Sequence, residues 1–405
     1  MVWNPIFNKV MEVKREWEKL PCTDMFRETP TFLKMLEELN RKEYNDIFDC
    51  LQINQDGDLI LIRYGLAEMQ SGMWEDPNSI YRECRSVVID IKNECLVLTP
   101  FRKFFNLNEV EENKLDVVMN RLETAKVVEI VDKLDGSMQS ARWYNGKPFM
   151  AGSMALNPKD SWRLDDGYSK LTENHIRMLK ANPNTTFIFE YISLRDSHVV
   201  KYDKKDEGLY LIGIRDVTTG YEESYGIIEI IGRMFDVPVA KIETTTLEQV
   251  LEDMKVLPAD KKEGWILNID GHKIKIKCDD YVDLHRMLDK ISSINVIIKN
   301  VAEGRIDDML SKIPDAYRGR VERVTKVVSD YVVETELIVN DYYNKAPKDT
   351  KKDFMIWTEN NVPKRYLGYV KNKFLGKPYN VLKNGGTGYK LAGQIGIQDK
   401  ISEVM

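Results

Sequence analysis

Val127-Val128-Glu129-Ile130-Val131, followed by Lys133-Leu134-Asp135-Gly136-Ser137, is the stretch on which the reading of this chain turns. The first five residues are apolar and β-branched and predict a buried strand, and Met138 to Trp143 alternates as a second strand would. Between them stands a lysine at the mouth of a strand-loop-strand unit. Such a lysine becomes a nucleophile once its ammonium loses a proton. Its ordinary pKa of about 10.4 means it needs cationic neighbours, partial burial or a bound metal to act near neutrality. Asp135 is expected to anchor the loop, and Gly136 to allow a close backbone approach. Alone, a lysine beside an Asp-Gly turn is more often a solvated loop, so the rest of the chain decides.

Downstream, Thr186-Phe187-Ile188-Phe189-Glu190-Tyr191-Ile192 predicts a strand with one charge in an apolar run. Burying Glu190 without a partner is costly, so it must face a cleft, a counter-charge or a ligand. Leu209 to Ile214 reads as another strand, followed by helices near Tyr225 to Phe235 and Leu247 to Met254, the latter opened by the capping box Thr245-x-x-Glu248. Glu263-Gly264-Trp265-Ile266-Leu267-Asn268-Ile269 leads through Asp270-Gly271 into His272-Lys273-Ile274-Lys275-Ile276-Lys277-Cys278, a hairpin signature. Strand alternation puts Lys273, Lys275 and Lys277 on one face. They repel one another unless an anion compensates, as a phosphate chain would; the bland alternative is a solvent-facing edge guarded by lysine. Asn145-Gly146 marks a further hairpin.

Upstream, Leu59 to Ile62, Val87 to Ile91 and Cys95 to Leu98 predict strands, with a turn at Lys92-Asn93, while residues 1 to about 50 read as helices around Trp17, Leu20, Phe32, Leu33, Met35, Leu36 and Leu39. Arg82 and Arg85 flank Glu83-Cys84, and Lys103-Phe104-Phe105-Asn106 follows Pro100. Taken singly these look like a surface salt link and a core aromatic pair. From Asp279 the pattern turns helical, with a stripe of Val321, Val324, Val327, Val328, Tyr331 and Ile338 that predicts a helix of roughly 25 residues. A domain boundary is expected near residue 290. Gly385-Gly386-Thr387-Gly388-Tyr389-Lys390 lacks the Gly-Lys-Ser/Thr ending and the preceding strand of a phosphate loop and is not read as one.

The 405 residues are 43% hydrophobic and 31% charged, an ordinary globular composition. No 18-residue apolar run predicts a membrane span, and Met1-Val2-Trp3-Asn4-Pro5 lacks the signal-peptide pattern. Cys22, Cys50, Cys84, Cys95 and Cys278 are scattered, against a disulfide framework or zinc site and in keeping with a reducing cytoplasm. From Lys290 to Met405 there are 20 basic and 14 acidic residues, against 39 and 51 before them. Phe354, Trp357, Tyr366, Tyr369, Phe374, Tyr379 and Tyr389 interleave with this charge. Basic side chains for phosphates and aromatic faces for bases suit a nucleic-acid surface, unless the rings form a helical core.

Lys133 to Gly136, Phe189-Glu190, Glu263-Gly264 and Lys275-Ile276-Lys277 match, in order, the motifs of the covalent nucleotidyltransferases, to which the ATP-dependent ligases and capping enzymes belong. Arg85 in Glu-Cys-Arg, Lys103-Phe104-Phe105-Asn106-Leu107-Asn108-Glu109 and the run from Lys275 to His285 narrow the resemblance, over roughly residues 50 to 290, to the phage-type RNA ligase 1 family. The resemblance implies an α+β fold: a nucleotidyltransferase (ATP-grasp-like ligase) adenylation domain with antiparallel sheets at residues 1–290, including the helical N-terminal segment, and an all-α RNA-recognition domain at 291–405. It implies an ATP-dependent ligase that joins 5′-phosphate and 3′-hydroxyl RNA ends with magnesium, or manganese in its place. The substrate implied is nicked tRNA cut in the anticodon loop, in the cytoplasm (a host's, if the gene is a bacteriophage's). No membrane is implied, ends would be healed by a separate enzyme, and the oligomeric state is unreadable.

In the family pattern, Lys133 carries AMP and Lys275 and Lys277 contact the α-phosphate, while Glu190 holds the ribose and Phe105 stacks on adenine. Arg85 and Lys103 would contact phosphates or the acceptor end, Asp135 and Gly136 would belong to the ATP site, and Glu263 would bind metal and orient Lys133. Where the family has a basic residue after the nucleophile's hairpin, this chain has Ala151-Gly152-Ser153-Met154, with Lys147 and Lys159 the nearest candidates to replace it. The alternatives are a single-stranded DNA ligase, a capping-type guanylyltransferase and a non-catalytic RNA-binding protein.

Overall fold

Antiparallel sheets carry the first unit of the chain, Met1–Val282, and helices carry the second, Asp283–Met405; the helix Asp279–Ser292 contains the division. The computed structural model describes residues 2–21, 29–65, 73, 76–196, 199–310, 315–384 and 388–404. Cys22 and the glycine-rich Gly385-Gly386-Thr387 lie outside them.

The strands are β1 (Leu51–Asp56), β2 (Leu59–Tyr64), β3 (Arg85–Asp90), β4 (Cys95–Leu98), β5 (Val128–Lys133), β6 (Ser137–Tyr144), β7 (Lys147–Ala151), β8 (Thr185–Ile192), β9 (Gly208–Asp216), β10 (Gly264–Ile269) and β11 (His272–Lys277). They form sheets in the orders β1-β2-β3-β4, β11-β10-β5 and β7-β6-β8-β9. The continuous apolar runs in β2 and β3 are explained by burial on both faces. Ile60, Ile62, Val87 and Ile89 pack on the N-terminal helices Pro5–Glu18 and Phe32–Leu39, whereas Leu61 and Val88 meet Val97, Leu98 and Phe149. A second core joins the other two sheets through Val131, Ile266, Phe187, Phe189 and Leu211. The hairpin signals are realised: Asn145 and Gly146 have φ of 48° and 76°, and Asp270 and Gly271 have 49° and 89°, as a type I′ turn requires.

Some elements differ from expectation. β1 was hidden because the alternation of Leu51 and Ile53 with Gln52 and Asn54 lasts only four residues before Gln55 and Asp56 break it. The helices Leu115–Leu122, Trp162–Ser169 and Glu173–Ala181 are too short for a clear stripe. The helix Leu247–Asp253 is capped by Thr246, whose hydroxyl accepts from the Gln249 amide, not by Thr245. The long C-terminal helix runs Asp315–Lys345, 31 residues.

The aromatic residues of the basic tail need a correction. Phe354 and Tyr366 are buried in a cluster with Val339, Val362 and Val370, and Trp357, Tyr369, Phe374 and Tyr379 pack against it. Phe354 stacks on Phe374 with centroids 3.9 Å apart, and Tyr369 on Tyr379 at 5.5 Å. These rings build the helical core and are not offered to bases; what remains for a nucleic acid is the charge. Phe354→Ala is therefore expected to destabilise the full-length protein by about 3–5 kcal/mol in urea unfolding. A cost below about 1 kcal/mol would return that ring to the surface.

Candidate active site

The register of the β11-β10-β5 sheet assembles the site. Gly264, the first residue of β10, lies opposite Lys133 at the end of β5 and opposite Lys277 at the end of β11. Glu263, one residue earlier, therefore enters between the two lysines. Its carboxylate is 2.6 Å from Lys133 Nζ through Oε2 and 2.9 Å from Lys277 Nζ through Oε1. Only glycine fits after it: Gly264 has φ of 149°, and a Cβ there would stand 2.1 Å from the Ile276 carbonyl oxygen. The loop after Lys133 is fixed just as tightly. Asp135 Oδ2 accepts from the amides of Val199 (2.8 Å) and Val200 (3.0 Å), and its Oδ1 accepts from the Tyr281 hydroxyl (3.0 Å). Its carboxylate thus faces protein, which makes it an anchor of the nucleophile's loop. Gly136 permits the crossing of β8, because a Cβ would lie 2.5 Å from the Tyr191 carbonyl oxygen and 2.9 Å from Glu190 Cγ.

Lys133, Glu190, Lys275, Lys277 and Arg85 line one cleft of about 160 Å³. Its apolar wall includes Phe101, Phe104, Val131, Leu134, Ile212 and Ile266. Phe105 is not part of that wall: it is buried under Arg82 (5.0 Å) and Lys103 (5.4 Å), and Phe104 presents its ring to the cleft. The cause is local. The Lys275 amide donates to the Phe105 carbonyl and the Leu107 amide donates to the Lys275 carbonyl, so residues 105–107 cover the edge of β11. The edge is accordingly closed, and the reading of a lysine-guarded solvent edge does not hold. Lys273 is buried against Glu222 at 2.6 Å, and Lys277 meets Glu263. Lys275 has no carboxylate within ion-pair distance among the described residues; its ammonium lies over the Phe104 ring at 4.7 Å. Lys103 lies over Tyr64 at 4.9 Å and lines neither this cleft nor the larger one beside it.

The electrostatics divide sharply. Burial works against the charge on Lys133, but the carboxylates of Glu263, Glu190 and Asp135 outweigh it and hold the ammonium above its ordinary pKa. The expectation that cationic neighbours lower this lysine is thus reversed. They act on Lys275, which burial first, then Arg85, Lys103, Lys133 and Lys277, push well below the usual lysine value. Burial also opposes charge on Glu263, yet Lys133 and Lys277 keep its carboxyl below the usual range. Glu190 goes the other way. Burial pushes it up, Lys133 only partly offsets this, Glu263 and Asp135 add to it, and its pKa reaches about 7.

Sequence reasoning missed how Arg85 is aimed. Arg63 pairs with Arg85 and Ile62 with Val87, leaving Ser86 as a bulge at φ 69° whose hydroxyl donates to the Ser153 carbonyl (2.7 Å). The guanidinium comes to rest 5.0 Å over Phe104, with Nη1 shut off from solvent and from any hydrogen-bond acceptor. A Ser ahead of a valine run carries no signal of a bulge.

No group of three or more metal-ligating side chains occurs among the described residues. Both oxygens of Glu263 are held by ammonium groups. This donor set does not make an all-protein cage. A magnesium-type ion, which takes one carboxylate, waters and a nucleotide's phosphates, would need Glu263 to release one of these ammonium groups.

The pKa of Glu190 has a consequence for stability. A carboxyl that binds its proton more tightly when folded stabilises the protein fully below its unfolded value of 4.5, and that contribution is lost as pH climbs through about 7. Ligand-free wild type should lose melting temperature relative to Glu190→Gln between pH 5 and 8. A pH-independent difference between the two would overturn the assignment.

Comparison with known proteins points the same way. A family described as RNA ligase matches residues 83–281. An RNA ligase of Thermovibrio ammonificans is 26% identical over 349 residues, covering 80% of this chain and 83% of that one. Among solved structures, an archaeal ATP-dependent RNA ligase superposes on 87% of this chain and all of its own, with a TM-score of 0.46 and 10% identity. A Naegleria gruberi RNA ligase solved with ATP and manganese covers 42% of this chain at a TM-score of 0.34 and 18% identity, and this chain spans 55% of its length. The matched residues run from Glu83, just before Arg85, to Tyr281 on the Asp135 anchor, and so contain the whole cleft around Lys133. Over residues 83–281, just under half of its length, this chain is similar to the RNA ligase family.

Proposed function

We propose that this chain is an ATP-dependent RNA ligase that seals 5′-phosphate to 3′-hydroxyl ends through a lysyl-AMP and an RNA-adenylate. The observation that carries the reading is the convergence of Lys133 and Lys277 on Glu263, beside Lys275 and Arg85, neither of which has a carboxylate within ion-pair distance among the described residues. In the first step Lys133 Nζ, as the free amine, attacks the α-phosphorus of ATP. A P–N bond forms, the bond to the β-phosphate oxygen breaks and pyrophosphate leaves. The RNA 5′-phosphate oxygen then attacks the same phosphorus, the P–N bond breaks, and the Lys133 amine regains a proton. Finally the 3′-hydroxyl oxygen loses its proton and attacks the RNA 5′-phosphorus, forming the phosphodiester as AMP departs.

Fixed cations around transferring phosphate are what this chemistry needs, since stabilisation of developing charge supplies most of its acceleration. Lys275 and Lys277 face the α-phosphate, Arg85 the phosphates beyond it, and Glu190 the ribose hydroxyls. Phe104 takes the adenine-facing place that the resemblance gives to Phe105. Lys103 supports the ring segment and lies nearer the acceptor end. Glu263, with the nucleotide's phosphates, would hold magnesium or manganese, which neutralises the leaving pyrophosphate when bound.

The finer reading is repair of tRNA nicked in the anticodon loop, in the cytoplasm, after a separate enzyme has healed the ends. The positive charge of residues 290–405 supports it. No helix among the described residues is long and apolar enough to cross a membrane.

With α-labelled ATP and a divalent ion the wild-type protein should acquire an acid-labile, alkali-stable label, and Lys133→Ala should acquire none. Equal labelling of the two would remove Lys133 as nucleophile, and preferential labelling by GTP would move the reading to capping. Reversing the exposed charges of Lys364, Arg365 and Lys377 to glutamate should leave self-labelling intact and cut sealing of nicked tRNA at least tenfold. Unchanged tRNA sealing would end the proposed role of the C-terminal unit, and faster closure of 5′-phosphorylated DNA than RNA would make the polymer DNA.

A further inference from the structure

A larger cleft of about 520 Å³ adjoins the one holding Lys133 and shares Arg85 and Met138 with it. Arg63, Tyr64, Ser86, Gly152, Ser153 and Arg163 are among the residues that line it. We infer that Arg63 and Arg85 together grip a terminal phosphate in this cleft. The inference rests on the ligase reading and extends it to a residue that neither the motifs nor the resemblance singles out.

The argument starts from a repulsion. Arg63 and Arg85 are direct partners across antiparallel β2 and β3, where like charges destabilise. The buried arginines of this unit are neutralised, Arg82 by Glu112 at 2.6 Å and Arg215 by Glu83 at 2.9 Å, whereas Arg63 and Arg85 are half-buried. Neither Arg63 nor Arg85 has a carboxylate within ion-pair distance among the described residues, and Arg85 Nη1 is buried without an acceptor. The Ser86 bulge brings the second guanidinium to the wall common to both clefts. A dianion between the two would satisfy both, and charge-assisted bonds from guanidinium to phosphate are the strong kind. Arg163 also lines the cleft, but Asp196 holds it through Nε at 2.5 Å and Nη2 at 2.6 Å. Lys147 and Lys159 line neither cleft, so the basic group absent from Ala151-Gly152-Ser153-Met154 is not restored by either.

The ligand chemistry is a terminal phosphate reached past Arg85 from Lys133. It can be the triphosphate tail of the nucleotide or the 5′-phosphate of the RNA, and the measurements separate the two. Full-length Arg63→Met keeps the stem and removes the charge, and relieving the repulsion should leave its ligand-free melting temperature equal to or above wild type. If the tail is the ligand, Arg63→Met should raise the KM for ATP in self-labelling at least tenfold with little change in kcat, and weaken the melting shift caused by tripolyphosphate. If the RNA end is the ligand, lysyl-AMP formation should be unchanged, while AMP transfer from the preformed lysyl-AMP protein to dilute 5′-phosphorylated RNA falls at least tenfold. Arg63→Lys should recover part of whichever is lost. Values within twofold of wild type in every assay would overturn the inference. Should wild type fail to label at all, the ligase reading falls, and the tripolyphosphate melting shift still reports on the arginine pair.

Discussion

One buried carboxylate shared between two ammonium groups sets the geometry on which the rest of this site depends. Glu263 reaches both Lys133 and Lys277 because three strands end in register and because Gly264 lets the chain pass where no side chain fits. Removing one partner from a buried ion pair typically costs about 3–5 kcal/mol, whereas an apolar replacement of the whole set is often neutral or stabilising. The triad is therefore hard to justify as a stabilising device. It is better understood as a way of holding the Lys133 nitrogen at a fixed point, with Asp135 and Gly136 securing the loop from the other side.

Around Glu263 the positive charge is in excess. Arg85 and Lys275 lie over the same ring, Phe104, at 5.0 and 4.7 Å, with no carboxylate within ion-pair distance of either among the described residues. A ring face is a weak counter-charge, worth about 0.5–2 kcal/mol to a cation. It keeps the two side chains in place without competing seriously against phosphate. Cations fixed in advance need no reorganisation when charge develops. The covering of the β11 edge by residues 105–107 makes this arrangement possible, since it brings Phe104 and Lys275 together.

The parts of this design differ in how openly the sequence carries them. Asn145-Gly146 and Asp270-Gly271 demand positive φ and declare their hairpins. Lys133, Glu190, Glu263, Lys275 and Lys277 stand out as charges in apolar strands. What alternation cannot convey is register between distant strands, and that is what puts Glu263 between Lys133 and Lys277. The choice between Phe104 and Phe105 falls in an irregular segment with no period to read. The sign of the Lys133 shift depends chiefly on two carboxylates, Glu263 and Glu190, brought in from other elements. The aromatic residues of the C-terminal unit were ambiguous because a ring that packs on Phe354 and a ring that stacks on a base have the same composition.

The protonation of the site follows from the same accounting. Ligand-free, burial opposes the charge on Lys133 but the carboxylates of Glu263, Glu190 and Asp135 outweigh it, whereas burial and then the neighbouring cations work against the charge on Lys275; attack on phosphorus needs Lys133 without its proton. A phosphate anion favours the charged form of Lys275 and offers Lys277 a partner other than Glu263. A carboxylate flanked by two ammonium groups is a very weak base, and losing one of them raises its basicity, which is the direction that removal of a proton from Lys133 needs. In the proposed chemistry Lys277 would thereby couple phosphate binding to the state of Lys133 two strands away. A neutral ligand of similar shape would engage none of these cations and would leave Lys133 an ammonium, so recognition of the nucleotide and activation of the amine draw on the same missing negative charge.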